Sequence, residues 1–435
     1  MDPKRLILAA LLLVGLSGAL WWSNKQEPGK DAKSSPEDAP KILEIPQDQI
    51  NKLEIRRMGA EPVVLEKAAL WTLKAPKELG ADQAVVGNLV GNLAVFGSDR
   101  LVDSKPADMK PYGLVEPLIT VIVGRKDGKT HTVHFGDDTP SGTSSYVRVE
   151  GDPKLYSVVS ATKTMFDRTW RDVRDKRLLT FDTEKLTSVE LGSIGFGKNA
   201  SGNWTIVKPK PLRADPVAAD QLVRKLAEAR LEVVNETEEE ASLPAKFAAA
   251  KPLGVAKVTD SNGTQQIEVR KGNENEYYAK SSAVEGVFKT SAEFGDSLAK
   301  GLDDFRNRKL FEFGFTQPER VEVKDGEKSY VFAKSGNEWK RDGKTIDPGS
   351  VQQVVDRLRE LAAVKFADSA AGATVAEYTV GKEKVTVTKQ GENYFAKRAD
   401  GGDVYVLDAK AVSEVRDLAA SAKEIAAAAP AAAKK

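Results

Sequence analysis

The chain has 435 residues, with 65 basic and 64 acidic side chains, two histidines and no cysteine. That length implies about three folding units at roughly 150 residues each, and a net charge of +1 leaves no global field to draw in nucleic acid or an anionic surface. Without cysteine there is no disulfide, thiolate nucleophile, thiolate zinc site, iron–sulfur cluster or acyl-cysteine anchor.

Lys4 and Arg5 precede an uncharged apolar run over residues 6–22. A helix of that length spans roughly 25 Å, the short end of what a bilayer core accepts. Trp21 and Trp22 fall where an interfacial aromatic belt sits. Positive charge on the N-side predicts a cytoplasmic stub (1–5), one transmembrane anchor (6–22), and the bulk of the chain on the outer side of that membrane. The competing reading is a cleavable leader with Ser17-Gly18-Ala19 as its small-residue site. Residues 23–41 are polar with three prolines and read as a disordered linker. Residues 420–435 read as an alanine-rich tail.

Between linker and tail one pattern recurs three times. Trp71, Trp204 and Trp339 each follow an alternating apolar segment, Leu53-Glu54-Ile55, Val189-Glu190-Leu191 and Val321-Glu322-Val323, in which the acid points away from a buried face. After each tryptophan comes Asp82, Asp215 or Asp347, and Pro216 and Pro348 follow the last two. Aspartate then proline is a helix start signal. Leu89, Val90 and Leu93 place an apolar stripe on the first helix; Leu222, Val223 and Leu226, then Val354, Val355 and Leu358, repeat it at the same offsets. Further strands are predicted at 118–123, 130–135, 146–149 and 155–158, at 267–270, 277–280 and 287–289, and at 384–388, 394–397 and 404–407. Tyr146-Val147-Arg148, Tyr278-Ala279-Lys280 and Phe395-Ala396-Lys397 are read as counterparts. Closing helices are predicted at 161–171, 292–305 and 409–419. The fold class is therefore α+β: three tandem homologous repeats (42–172, 173–304 and 305–419), each of antiparallel strands with about two packed helices, after an N-terminal transmembrane helix. Stacking through the junctions is expected to give an elongated rod.

The residues from Trp71 to Pro76, Ala81-Asp82, Pro111-Tyr112-Gly113-Leu114 with Pro117, Phe135-Gly136 and Tyr146-Val147-Arg148 together resemble the domain-of-unknown-function 4340 family. Copy two keeps Trp204, Pro209, Ala214-Asp215 and Pro252-Leu253-Gly254. Copy three departs, with Lys344 at the proline position and only Tyr378-Thr379-Val380 for the Tyr-Gly-Leu element. The resemblance implies a membrane-anchored bacterial protein accessory to ABC-type export systems, encoded beside permease and gliding-type auxiliary subunits. It implies no catalytic residues.

The chemistry-bearing residues have bland readings. His131 and His134 lie three apart on a predicted strand, so they face opposite ways and cannot share a metal. Gly124 to Thr130 imitates a phosphate-binding loop, but has three residues between its glycines where that loop needs four, and joins two strands. Asp127-Gly128 and Asn262-Gly263 read as hairpin turns. No Gly-x-Ser-x-Gly turn accompanies the histidines, so a serine triad lacks its parts. The tryptophans read as core anchors over a ligand-stacking row, and Arg168, Arg171, Arg174, Lys176 and Arg177 as a solvated helix end over a partner contact. The expectation is a non-enzymatic, membrane-anchored periplasmic scaffold with no cofactor, no metal and no nucleic acid. Its partners would be the inner membrane and an ABC-type permease or auxiliary subunit. A cell-envelope polysaccharide or peptidoglycan binder is the alternative, and an envelope hydrolase using paired acids a third class.

Overall fold

The computed structural model describes residues 40–234, 237–273 and 275–425. Among them no helix is long and apolar enough to cross a membrane. The 6–22 run with Lys4, Arg5, Trp21 and Trp22, most of the 23–41 linker and the tail after Ile425 lie outside the described residues.

Alternating apolar segments fold as expected into antiparallel meanders. In copy one, β1 (Ile50–Arg57), β2 (Val63–Lys67), β3 (Trp71–Ala75) and β4 (Leu79–Gly80) run outward from β1. Helix α1 (Gln83–Ala94) then carries the chain over the sheet to a short edge strand, β5 (Arg100–Asp103). The second meander starts beside β1 with β6 (Ile119–Arg125), continues through β7 (Thr130–Asp138), β8 (Ser144–Val149) and β9 (Leu155–Val159), and ends against β5. Helices α2 (Ser160–Phe166) and α3 (Trp170–Val173) close the copy.

Copy two repeats the order with β10 (Ser188–Leu191), β11 (Ile194–Lys198), β12 (Trp204–Lys208), β13 (Leu212–Arg213) and α4 (Pro216–Ala227). It adds α5 (Thr237–Ala249), then β14 (Lys251–Asp260), β15 (Gly263–Lys271), β16 (Tyr277–Ser281), β17 (Val287–Thr290) and α6 (Ala292–Ser297). A single Glu232–Lys289 bridge stands where copy one has β5. Copy three has β18 (Arg320–Asp325), β19 (Lys328–Ser335), β20 (Glu338–Arg341), β21 (Lys344–Ile346), α7 (Pro348–Arg359) and edge strand β22 (Lys365–Ala367). It ends with β23 (Ala373–Val380), β24 (Glu383–Gln390), β25 (Asn393–Arg398), β26 (Val404–Leu407) and α8 (Ala409–Ser421). The result is three separate antiparallel sheets of nine, eight and nine strands in matching spatial order. Each has its own core, in which the inward residues of the sheet meet the apolar stripe of the capped helix.

Backbone ties close each copy at equivalent places. The N–H of Asp82 donates to Val173 O at 2.8 Å, that of Asp215 to Phe305 O at 2.7 Å and that of Asp347 to Lys423 O at 2.9 Å. The segment entering each copy pairs behind the capped helix, through Lys41–Gly97, Arg177–Arg230 and Lys309–Ala362. These ties carry each copy a few residues past where sequence spacing closes it. In copy three the Ile346–Glu424 bridge and buried Ala422 extend the fold beyond residue 419. The chain forms two compact units that divide between Asp175 and Lys176, and the second holds copies two and three.

Several elements differ from expectation. The single closing helices at 161–171 and 292–305 are each broken. In copy one the chain leaves α2 at Asp167 and restarts at Thr169, whose N–H donates to Asp172 Oδ2 at 2.7 Å in a capping box. In copy two Gly301 opens a 3-10 turn over Leu302–Asp304 after α6 has ended. Strands β14 and β23 and helix α5 have no counterpart among the expected elements. Pro252 and Gly254 interrupt the alternation of β14, small residues dilute that of β23, and α5 carries Pro244 inside a weakly apolar run. The missing proline of copy three also has a local reason. Copies one and two turn after β3 and β12 at cis Ala75-Pro76 and Lys208-Pro209. Copy three makes the same reversal with Asp342-Gly343, both at positive φ, as a two-residue primed hairpin turn requires.

Candidate binding cleft

The repeat markers serve the fold. Asp82 Oδ1 accepts from the N–H groups of Ala84 and Val85 at 3.0 and 3.1 Å, Asp215 Oδ1 from Ala218 at 2.9 Å, and Asp347 Oδ2 from Ser350 at 2.8 Å. All three are helix N-caps, and the Ser350 bonds hold the Asp347 carboxyl below its ordinary pKa. Replacing any one by alanine is expected to cost about 1 kcal/mol, and replacing it by serine a few tenths, measured as the shift in urea midpoint. Trp71 and Trp339 are buried in their cores. Trp71 is further tied by a reciprocal pair of 2.9 Å bonds between its backbone and the Gln83 side chain, a link the sequence spacing does not show. Trp204 is only half-buried and packs at the edge of its core.

Tyr112-Gly113-Leu114 is a lock on copy one's sheet. A 3-10 turn over Lys110–Tyr112 ends at Gly113 in the left-handed region (φ 65°), Leu114 is fully buried, and the Tyr112 ring meets Tyr146 edge-on at 4.9 Å. A Cβ at Gly136 would land on the Tyr112 carbonyl oxygen, so this close approach needs glycine. Pro252-Leu253-Gly254 is not its counterpart. Those residues lie inside β14, where Gly254 pairs with Val269 of β15. Tyr378-Thr379-Val380 likewise lies inside β23.

His131 and His134 sit on β7 with opposite facing, as alternation requires. His134 Nδ1 lies 3.2 Å from Thr120 Oγ1, while His131 Nε2 is buried without a hydrogen-bond partner. Among the described residues no acid or histidine cluster could hold a metal ion. Burial first, then Arg148 beside His134 and Arg125 beside His131, lowers both pKa values below 6.5. The native state therefore binds fewer protons than the unfolded chain. Stability is full above pH 6.5 and falls as pH drops through 6.5 towards the lowered native values. The thermal midpoint should fall between pH 7.5 and 5.5, and His134→Asn should flatten that fall; an unchanged slope would contradict the assignment. The Gly124–Thr130 loop is the β6–β7 hairpin turn, with Gly128 at φ 82° and Arg125 paired to Asp127 at 3.0 Å.

The basic cluster is only in part a solvated helix end: Arg177 is exposed, but Arg174 is buried. Trp170 is buried, with the Arg171 guanidinium 4.5 Å, the Arg174 guanidinium 5.9 Å and Lys77 Nζ 4.9 Å from its ring, and Arg168 Nε donates to Met165 O at 3.0 Å. The cations pack on an aromatic ring at the end of copy one. Arg177 pairs through its backbone with Arg230 in copy two.

Within the second unit, a cleft of about 540 Å³ opens between copies two and three. Half-buried Trp204 and the start of α4 (Pro216, Val217) line one side, and Phe311, Phe315 and Arg359 the other. Arg213 spans the floor, donating to Lys309 O at 2.8 Å and to the Tyr405 hydroxyl at 3.2 Å, with Glu312 Oε1 at 2.5 Å. Asn307 Nδ2 donates to the same Glu312 oxygen at 2.5 Å. Phe315 is 96% exposed and Val217 63% exposed. Arg359 steadies the Phe315 turn by donating to Gly314 O at 2.6 Å, its guanidinium 5.9 Å from the Phe315 ring. Aromatic and aliphatic walls with a few fixed polar groups can bind a ligand or a protein segment. The floor charges are already paired. No single residue pattern announces this cleft, because it is assembled from two copies.

A family model described as a domain of unknown function (DUF4340) matches residues 71–202 and 204–382. The chain belongs to the DUF4340 family. The two DUF4340 stretches begin at Trp71 and Trp204, the same marker in copies one and two. No curated protein and no solved structure matches the chain.

Proposed function

We propose that this DUF4340 chain is a non-catalytic accessory subunit, anchored in the inner membrane by residues 6–22, whose periplasmic body binds a membrane protein of an ABC-type export system. The reading rests on the apolar N-terminal run, on the family resemblance, and above all on one surface feature. Phe315 at 96% exposure and Val217 at 63% stand at the mouth of the copy two–copy three cleft. An exposed aromatic held in place by an arginine is a contact residue in waiting. Gentle detergent extraction at native expression should recover the chain together with a polytopic permease or auxiliary subunit, and Phe315→Asp should release that partner without altering the melting temperature. Recovery of the chain alone would refute the reading. The second reading is an envelope-glycan binder, favoured by half-buried Trp204 beside Asn199 and Asn203 in the same cleft. It predicts retention on isolated cell wall that Trp204→Ala abolishes.

A further inference from the structure

The charged groups around the copy two–copy three cleft do not all find partners within the fold. Both acids that line it are engaged. Glu312 is held by Arg213 and by Asn307, and Asp215 caps α4, its Oδ1 accepting from the Ala218 N–H at 2.9 Å. Arg359 pairs with Asp356 and donates to Gly314 O. Lys309 also lines the cleft, yet it is exposed and its ammonium has no acid partner among the described residues. A second exposed cation, Lys198, lies 5.1 Å from the centre of the Trp204 ring, and it too has no acid partner among the described residues.

The apolar part of the cleft is equally unspent by the fold. Phe313 packs against the core of copy three, whereas Phe315, two residues on, is left in solvent. Copy two has Thr183 two residues past Phe181, the counterpart of Phe313, so the exposed aromatic belongs to copy three and not to the repeat. A surface that covers Phe315 also approaches the two lysines. A basic surface would set like charges together, and a purely apolar one would strip water from ammonium groups without replacing it. Carboxylates on the incoming chain give both lysines a counter-charge as the aromatic is covered.

We propose that the cleft receives an acidic segment of the partner membrane protein: a large apolar side chain packs on Phe315 and Trp204, and neighbouring carboxylates pair with Lys309 and Lys198. This rests on the reading of the cleft as the partner contact and adds the chemistry of what enters it. The test places a photo-crosslinking residue at Val217 of the full chain in living cells, leaving Phe315 intact. Lys198→Glu with Lys309→Glu should cut the yield of the membrane-protein adduct at least about fivefold, since two exposed ion pairs become two repulsions. Lys198→Arg with Lys309→Arg should keep the yield, and neither double variant should shift the melting temperature. Carbodiimide, which joins an amine directly to a carboxylate, should link Lys309 or Lys198 to an Asp or Glu of the same trapped protein, located by mass spectrometry, and should fail to do so in the arginine variant. An adduct whose yield ignores the charge reversal, or one in which carbodiimide links neither lysine to the trapped protein, would overturn the acidic segment and leave the partner contact standing. No membrane-protein adduct at Val217 would overturn both.

Discussion

Arg306→Ala is expected to lower the stability of the second unit by about 3–5 kcal/mol, the range for removing one partner of a buried ion pair. Arg306 leaves the end of copy two and reaches Asp403 of copy three, Nε donating to Oδ1 at 2.9 Å and a second guanidinium nitrogen to the same oxygen. The Arg306 side chain is 11% exposed and that of Asp403 1%. The guanidinium carbon lies 3.7 Å from the centre of the Phe366 ring, and Asp303 adds a contact at 2.9 Å. Truncating the arginine strands the buried Asp403 carboxylate, whose Oδ2 already lacks a partner. Part of the loss belongs to that stranding and not to the pair, so the double replacement Arg306→Met with Asp403→Leu should recover most of it. Urea unfolding followed by tryptophan fluorescence reads both. A loss under 1 kcal/mol for Arg306→Ala would mean that the pair behaves as a solvated one.

The three tryptophans should separate into two classes. Trp71→Ala and Trp339→Ala are each expected to cost about 3–5 kcal/mol, the range for deleting a large aromatic from a packed core. Trp204→Ala should cost clearly less, because one side of its ring already borders the cleft and Lys198 Nζ sits 5.1 Å from its centre. Equal losses at all three sites would contradict the assignment of Trp204 to the cleft wall. The same denaturation series measures all three.

The contrast shows what was legible. Caps, stripes and alternation are local signals with fixed periods, so Asp82, Asp215 and Asp347 and the strands that precede them could be read directly. Register bears out the counterparts at Val147, Ala279 and Ala396, which pair with Phe135, Val269 and Val387. The parts that escaped are those decided by tertiary context. Strand β14 contains a proline and a glycine and is held by pairing with β10 and β15 on either side. Matching Pro252-Leu253-Gly254 to Pro111-Tyr112-Gly113-Leu114 by composition failed, since one sits in a strand and the other in a turn above one. The cleft was not visible, because it needs two copies side by side.

The central claim, a periplasmic body that grips a membrane protein through the copy two–copy three cleft, is tested most directly by a photo-crosslinking residue placed at Phe315 in living cells. Irradiation should trap a polytopic membrane protein of an ABC-type export system, and the same probe at exposed Leu70 in copy one should not. Crosslinks to cytoplasmic proteins, or none at Phe315 above the Leu70 control, would contradict the account.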